Sequence, residues 1–528
     1  MKTNFSSGTV LSSAGLIAFF SLVSRILGLL RDRLLAGEFG ADVTLDAYYA
    51  AFKIPDFLYN LLVLGALTAA FVPVVAGYLA KDKKAEAHRV TSAVLNILGI
   101  TLAVLSVGAF LALPWLVKLA APGFEGETRE LTIMLTRIML LSPIIFGISS
   151  VVSSYLNTTR HFLAYSLAPV MYNVGIIAGV LFLVPSLGPI GLAWGVVAGA
   201  LLHVATQIPA LVRTGFSYSL RASWKHPGVK RIITLAGPRI LSIAALQINV
   251  VVITAIASTL PTGSVSAYNL AFNLQSLPLG LVGLSIATAV FPVLAELASR
   301  NEAEKFIRQI AETLRQMLFL IVPLSILLIV LRVPIVRIVL GTGAFDFEDT
   351  FTTAAALAVF AISLFAQTIV PLLTRAFYAL EDTRTTVIIS LISVAVNIAG
   401  GLLLGRWFGL VGLVAAFSAA AVLDFLLHLV ILRQRLGQLE EATLSASLAR
   451  IILAAACGGG GALATRLLLE RALVLDTFVA VLLVLIASSI VGVGLYLVVH
   501  LLLRSPEVRD IFSALRPRLS RRTDTPAS

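Results

Sequence analysis

The chain has 528 residues, of which 59% are hydrophobic and only 12% charged, and its mean hydropathy is +0.99. A soluble domain carries about twice that charged fraction, so a soluble globular protein is excluded and a polytopic helical membrane protein is expected. The net charge of +12 would suit a nucleic-acid binder, but it is concentrated in short loops, which points to anionic lipid instead. Cys457 is the single cysteine, so disulfides and cysteine-based metal sites are excluded.

The first apolar run, "GLIAFFSL", continues into "LVSRILGLLRDRLL" at Leu22 to Leu35 without a small-residue cleavage site, and is read as a first membrane helix rather than a signal. Arg25 and Asp32, seven apart, share one helical face about 10 Å apart along the axis, with Arg31 and Arg33 to either side. An arginine inside the bilayer costs roughly 3 kcal/mol on insertion scales, so each needs an interior face, a partner or water. Arg31 and Arg33 either snorkel to the outer headgroups or line a cavity. Asp46, Lys53 and Asp56 follow at the start of the second apolar run, as a helix-start charge cluster or as cavity residues. Arg137, Arg375, Asp424 and His428 read as local ion pairs or span ends.

Fourteen apolar runs of spanning length follow one another, centred roughly on Phe20, Ala66, Ser106, Ile144, Val174, Ala200, Ala244, Leu281, Ile326, Ser363, Val394, Ala420, Gly458 and Ser489. With the N-terminus cytoplasmic, even-numbered connections such as "KDKKAEAHR", "NTTRHF" and "LRQRLGQLEEATLSASLAR" are mostly rich in Lys and Arg, whereas odd-numbered ones such as "APGFEGETRE" and "GTGAFDFEDT" are neutral or acidic. That asymmetry sets the orientation and agrees with a basic cytoplasmic tail containing "RPRLSRR".

Two halves of the sequence match in order. "DAYYAAFKIPDF" and "AAFVPVVAGYLAK" resemble "SAYNLAFNLQSLP" and "TAVFPVLAELASR" at an offset of 220 residues (Ala47 and Ala267, Phe71 and Phe291), and Arg25 has a counterpart in Arg239. Thr159-Arg160 pairs with Thr383-Arg384, and Asn173 with Asn397, at an offset of 224. A six-span repeat is expected, and an even number of spans gives both copies the same orientation in the membrane, the parallel type of transporter repeat. Pro55 and Pro73 in the second span, and Pro278 and Pro292 in the eighth, each remove a backbone donor and favour kinks beside a wet space. Charge is concentrated in the first copy. Arg31 and Asp32 fall opposite Ala245 and Leu246, and Asp46, Lys53 and Asp56 opposite Ser266, Asn273 and Ser276. Guanidinium groups clustered at membrane depth suit a diphosphate, because the planar fork makes two parallel hydrogen bonds.

"SRILGLLRD", "FGA" with "LDAYYAAFKIPDF", "GAL" with "AAFVPV", and "APGF" at Ala121 resemble the MurJ/MviN family, the lipid II flippases of the multidrug/oligosaccharidyl-lipid/polysaccharide exporter superfamily. The resemblance implies an all-α polytopic membrane protein of about 14 transmembrane helices, with two pseudo-symmetric six-helix lobes at 1–215 and 216–440. Helices 13 and 14, at 441–504, would form a lipid-tail groove, followed by a basic cytoplasmic tail at 505–528. It also implies a cationic cavity lined by Arg25 and Arg31, with Asp32 and Asp46 at family positions. Tyr59, Asn60 and Leu64 stand where relatives carry an arginine pair and an acidic residue, and Asn273 where they carry a cavity arginine. Lys53 is expected as partial compensation. The candidate substrate-binding set is therefore Arg25, Arg31, Asp32, Asp46, Lys53, Asn273 and Arg239.

The implied partner is a polyprenyl-diphosphate-linked saccharide, lipid II, within the lipid bilayer of the bacterial cytoplasmic (inner) membrane. Nucleic acid is not expected, and a functional monomer is. No cofactor or metal is expected, and coupling to membrane potential or to a monovalent cation is left open, with Gln247 and Asn249 the nearest polar groups in the seventh span. "GTG" and "GGGG" lack the Lys-Ser/Thr ending of a phosphate-binding loop, so ATP hydrolysis by the chain itself is not expected. A lipid-linked polysaccharide flippase or a drug exporter of the same superfamily is the alternative. A membrane enzyme would need an acidic or metal-ligand cluster, for which Asp346, Glu348 and Asp349, read as an external loop, are the only candidates.

Overall fold

In hydrocarbon every backbone donor and acceptor must be satisfied within the chain, and every regular element among the described residues is a helix. The computed structural model describes residues 7–64, 70–220, 223–438 and 440–507. The basic tail motif and "GAL" therefore lie outside the described residues.

The order is α1 (Ser7–Phe39), α2 (Val43–Ala51), α3 (Lys53–Tyr59), α4 (Val72–Ala80), α5 (Lys84–Leu111), α6 (Leu113–Ala120), α7 (Gly126–Met139) and α8 (Leu141–Thr158). Then come α9 (Phe162–Ala178), α10 (Val184–Leu187), α11 (Ile190–Ala205), α12 (Ile208–Arg213), α13 (Pro227–Ser258), α14 (Ser264–Pro278) and α15 (Ser285–Ser299). The chain continues through α16 (Ala303–Val330), α17 (Arg332–Val339), α18 (Phe347–Ile362), α19 (Leu364–Ala379), α20 (Thr383–Leu436), α21 (Glu441–Ala472) and α22 (Phe478–Leu502). Nine stretches among the described residues are long and apolar enough to cross a membrane, and a tenth if α18 and α19, bent by 44°, form one span. The 54-residue α20 is itself two helices joined at Gly409. With α1, the broken α2–α4 segment and α13, this order accommodates the fourteen passes read from the sequence.

In the second and eighth passes the helix widens after a proline. One π-turn, Asn60–Leu64, follows Pro55, and another, Leu279–Leu284, begins right after Pro278. A helix that loses a donor to proline commonly re-forms with one wider turn, and both copies of this span do so.

The internal duplication is visible in backbone detail. Gly188 and Gly409 carry φ values of 60° and 59° at the break before the sixth and twelfth passes, 221 residues apart. Only glycine takes this conformation, with ψ near −148° and −140°, at little cost. At the same register, Ser142 and Ser363 each donate a hydroxyl to the carbonyl three residues back. Gln207 bonds Ser153, and His428 bonds Thr374, each across 54 residues. Arg160 and Glu381 share a left-handed φ of 65° and 59°. The 224-residue pairing expected from sequence is therefore three residues out of step, and Arg160 stands opposite Glu381, not Arg384, while Asn173 stands opposite Val394. The Thr-Arg and Asn matches were too short to fix a register that the turn geometry fixes.

Two compact units result, residues 1–269 with 342–349, and 270–341 with 350–528. In the first, α13 packs on α3, α5 and α6. The segment 342–349 docks on the end of α1, where Ala344 N–H donates to Gly37 O at 2.7 Å and Ala41 N–H to Asp349 Oδ2 at 2.9 Å. In the second, α21 packs along α22 and α16. A Cβ on Gly458 would lie 2.6 Å from the carbonyl oxygen of Gly492, so these small residues set the close approach of the two helices. Tyr496 Oη donates to Phe319 O at 2.7 Å and fixes α22 against α16.

Candidate functional site

Helix α1 runs unbroken from Ser7 to Phe39, so its arginines are placed by helical pitch alone. The guanidinium of Arg31 donates from Nε and Nη2 to Asp32 Oδ1, at 3.0 and 2.8 Å, and from Nη1 to Asn173 Oδ1 at 3.3 Å. Asp32 is 2% exposed, whereas the Arg31 side chain keeps 22% of its surface. Asn173, buried in α9, is itself held by Nδ2–H bonds to Ser24 O, Ser24 Oγ and Pro169 O at 3.3, 3.3 and 3.1 Å. Its carbonyl oxygen is thereby aimed at Arg31. Tyr48 and Tyr49 are both buried in α2.

Such a site engages all three guanidinium nitrogens while leaving part of the side chain accessible. Arg25 lies half-buried on the same helix, about 9 Å away along the axis.

Asp46 and Lys53 are placed differently. Asp46, 3% exposed, accepts the N–H of Gly263 on Oδ2 at 2.8 Å, and the N–H and Oγ–H of Ser266 on Oδ1, both at 2.7 Å. These donors surround the start of α14, where the first N–H groups of any helix lack internal partners, so Asp46 caps that helix from α2. Lys53 Nζ donates to Asn269 Oδ1 at 3.2 Å, and Asn269 is held by its own Nδ2–H bond to Val265 O at 2.6 Å. The two residues thus tie α2 and α3 to the first turns of α14. Lys53 also lines an apolar cavity of about 480 Å³ with Leu116 of α6 and Val251 of α13. Asp56, three residues on, is exposed.

Of the departures noted in sequence, Tyr59 Oη is hydrogen-bonded to Ser150 Oγ at 2.9 Å, and Asn60 opens the π-turn. The side chain of Leu64 lies outside the described residues. Asn273 is half-buried in α14, in the second compact unit. Arg239 belongs to α13, and its side chain also lies outside the described residues. Among the isolated charges, His428 Nδ1 lies 2.7 Å from Asp424 Oδ1 on one face of α20, and Arg375 donates to Thr288 Oγ1 at 2.8 Å.

The structure therefore brings Arg31 and Asp32 together with Asn173, which sequence reasoning had noted only as a repeat marker. A polar amide inside an otherwise apolar span was the available signal. The backbone donors that hold Asp46 have no sequence signature.

Comparison with known proteins adds a family to this geometry. The family model described as lipid II flippase MurJ matches residues 35–486. The chain is 32% identical over 432 residues to the lipid II flippase MurJ of Burkholderia cenocepacia, covering 79% of this chain and 83% of that protein. It is 30% identical over 448 residues to a probable lipid II flippase MurJ of Rhizobium tropici, covering 83% of this chain and 84% of that one. Among solved structures, a lipid II flippase MurJ in an inward closed conformation superposes with a TM-score of 0.77 at 25% identity, over 94% of this chain and 99% of that one. An inward-facing multidrug transporter of the MATE family gives 0.67 at 18% identity, over 79% and 96% of the two chains, a likeness of fold alone.

Proposed function

Because the chain belongs to the MurJ family of lipid II flippases, a family of multi-pass membrane transporters rather than enzymes, we propose that it carries lipid II across the bacterial cytoplasmic membrane by alternating access. The observation that carries the reading is the Arg31 guanidinium, seated on Asp32 and Asn173 with part of its side chain still accessible. A diphosphate is a chemical group that can repay the cost of an arginine in that position, since it offers paired oxygens to a planar donor.

Arg31 and Arg25 contact the diphosphate in this reading, and Asp32 and Asn173 orient Arg31. Asp46 and Lys53 act by holding the start of α14 to α2 and α3. Asn273 and Arg239 contribute from the second copy of the repeat, where Asn273 lowers the positive charge offered to the substrate. The lobes at 1–215 and 216–440 move against each other, and helices at 441–504 accommodate the polyprenyl tail. Both termini are cytoplasmic, as the basic even-numbered connections favour, and the monomer is the working unit.

The test is rescue of a bacterial strain depleted of its own lipid II flippase. The wild-type chain restores growth, and Arg31→Ala and Arg25→Ala fail at normal membrane levels. Full rescue by both alanine variants would remove the arginines from the substrate site.

A further inference from the structure

One turn is built alike in both copies of the repeat and charged differently. Between α4 and α5 it places Asp82 in the left-handed region (φ 59°), and between α15 and α16 it places Asn301 there (φ 56°), 219 residues on. Asp82 N–H donates to Leu79 O and Lys83 N–H to Tyr78 O, and Asn301 N–H donates to Ala298 O and Glu302 N–H to Leu297 O, all at 3.0 Å. With the backbone in register, Gly77 stands opposite Glu296, Lys81 opposite Arg300 and Lys83 opposite Glu302. In the second copy the cations are paired locally, Arg300 with Glu296 at 2.7 Å and Lys305 with Glu302 at 2.8 Å.

The first copy carries neither carboxylate. Glu86, in the first turn of α5, is held by Arg89 and His226, each at 2.8 Å. Lys81 and Lys83 line a cavity of about 320 Å³ together with Arg231 from the start of α13, and none of its described lining residues is acidic. Asp82, exposed at the tip of the turn, is not part of the lining. All three cations are exposed, and among the described residues none of them forms an ion pair. Like charges gathered at one mouth repel one another, so the cavity favours an anion. Its other wall is apolar, with Pro73, Val74 and Leu235, and Leu235 is 48% exposed. Trp224, three residues before α13, is 66% exposed with Lys225 Nζ 5.8 Å from its ring centroid, a residue type that settles at the headgroup level of a bilayer. A water-soluble anion has no use for the apolar wall. A phospholipid uses both, and basic pockets between membrane helices hold such headgroups.

We propose that this cavity binds one anionic glycerophospholipid from the leaflet on the side of the basic connections. Its phosphate sits among Lys81, Lys83 and Arg231, and an acyl chain runs along Pro73, Val74 and Leu235. The bound lipid supplies the negative charge that Glu296 and Glu302 supply in the second copy. The site is made by α4, the α4–α5 turn and α13, whereas Arg31 is seated by α1 and α9, so this lipid is a second ligand and not the one carried.

The experiment uses the purified full-length protein and native mass spectrometry after titration with phosphatidylglycerol or phosphatidylcholine. The wild type retains phosphatidylglycerol in preference to phosphatidylcholine. Gly77→Glu gives Lys81 the partner that Arg300 has in Glu296, and it is sterically open, since a Cβ on Gly77 meets no atom within 4 Å. It loses about fivefold in phosphatidylglycerol retention, on the scale of one cation near a membrane surface. Arg231→Gln, on an exposed position, loses about fivefold as well, and the two together about 25-fold, with phosphatidylcholine retention unchanged. Unchanged phosphatidylglycerol retention in the combined variant, equal retention of the two lipids by the wild type, or equal losses of both lipids in the variants would each overturn the assignment. Displacement of phosphatidylglycerol by an equal concentration of inorganic phosphate would also overturn it, by showing a site for a free anion.

Discussion

Asp46→Ala isolates one buried carboxylate whose work can be counted. In the wild type its two oxygens accept three hydrogen bonds, from Gly263 N–H, Ser266 N–H and Ser266 Oγ–H, at 2.7 to 2.8 Å. The Ser266 hydroxyl has a second acceptor, Gly263 O at 3.0 Å, so its loss is largely absorbed. The two N–H groups stand at the start of α14, where no intrahelical acceptor exists. Leaving each buried donor unsatisfied costs about 1–3 kcal/mol, so Asp46→Ala should destabilise the protein by about 2–6 kcal/mol. Asp46→Asn keeps one acceptor oxygen for Ser266 but turns an amide N–H₂ toward the Gly263 N–H, and should cost about half as much. Thermal unfolding of the purified variants should therefore rank wild type above Asn and Asn above Ala. An alanine variant that melts with the wild type, or an asparagine variant less stable than the alanine one, would show that the cap does not contribute as argued.

Other outcomes follow from the same geometry. Arg31→Lys retains a charge beside Asp32 and so should reach normal membrane levels, yet rescue the depleted strain poorly because the bidentate fork is lost; rescue equal to wild type would count against diphosphate recognition. Gly492→Val places a branched side chain against Gly458 O and the methyl of Ala462, and should lower stability by about 1–3 kcal/mol through overpacking, read as a lower melting temperature. Asn273→Arg, which adds a positive charge to α14, should be tolerated or improve lipid II transport in the rescue assay; abolished transport would point to a different headgroup.

The number and order of passes were legible because hydrocarbon leaves the chain one solution, a run of about 20 apolar residues per helix. The expense of Arg25 and Arg31 was legible for the same reason. Register was not. Pairing Thr159-Arg160 with Thr383-Arg384 uses side-chain identity, whereas the fold aligns left-handed turn residues, Arg160 with Glu381 and Gly188 with Gly409, and so tolerates a change of charge at fixed backbone. Sequence could name Asp46 and Lys53 as costly charges, but their partners are backbone N–H groups and the Asn269 amide, which any residue or many residues could offer. The packing of α13 with the first compact unit likewise depends on side-chain fit along α3 and α6, which periodicity does not encode.

Reconstituted vesicles containing fluorescent lipid II test the central claim most directly. A membrane-impermeant quencher reports the fraction of lipid II that reaches the outer leaflet with time. The account predicts a protein-dependent increase that Arg31→Lys reduces by about tenfold, equivalent to about 1.4 kcal/mol of lost recognition, with no matching movement of labelled phosphatidylglycerol. Folded wild-type protein that moves lipid II no faster than empty vesicles do, or moves both lipids alike, would contradict it.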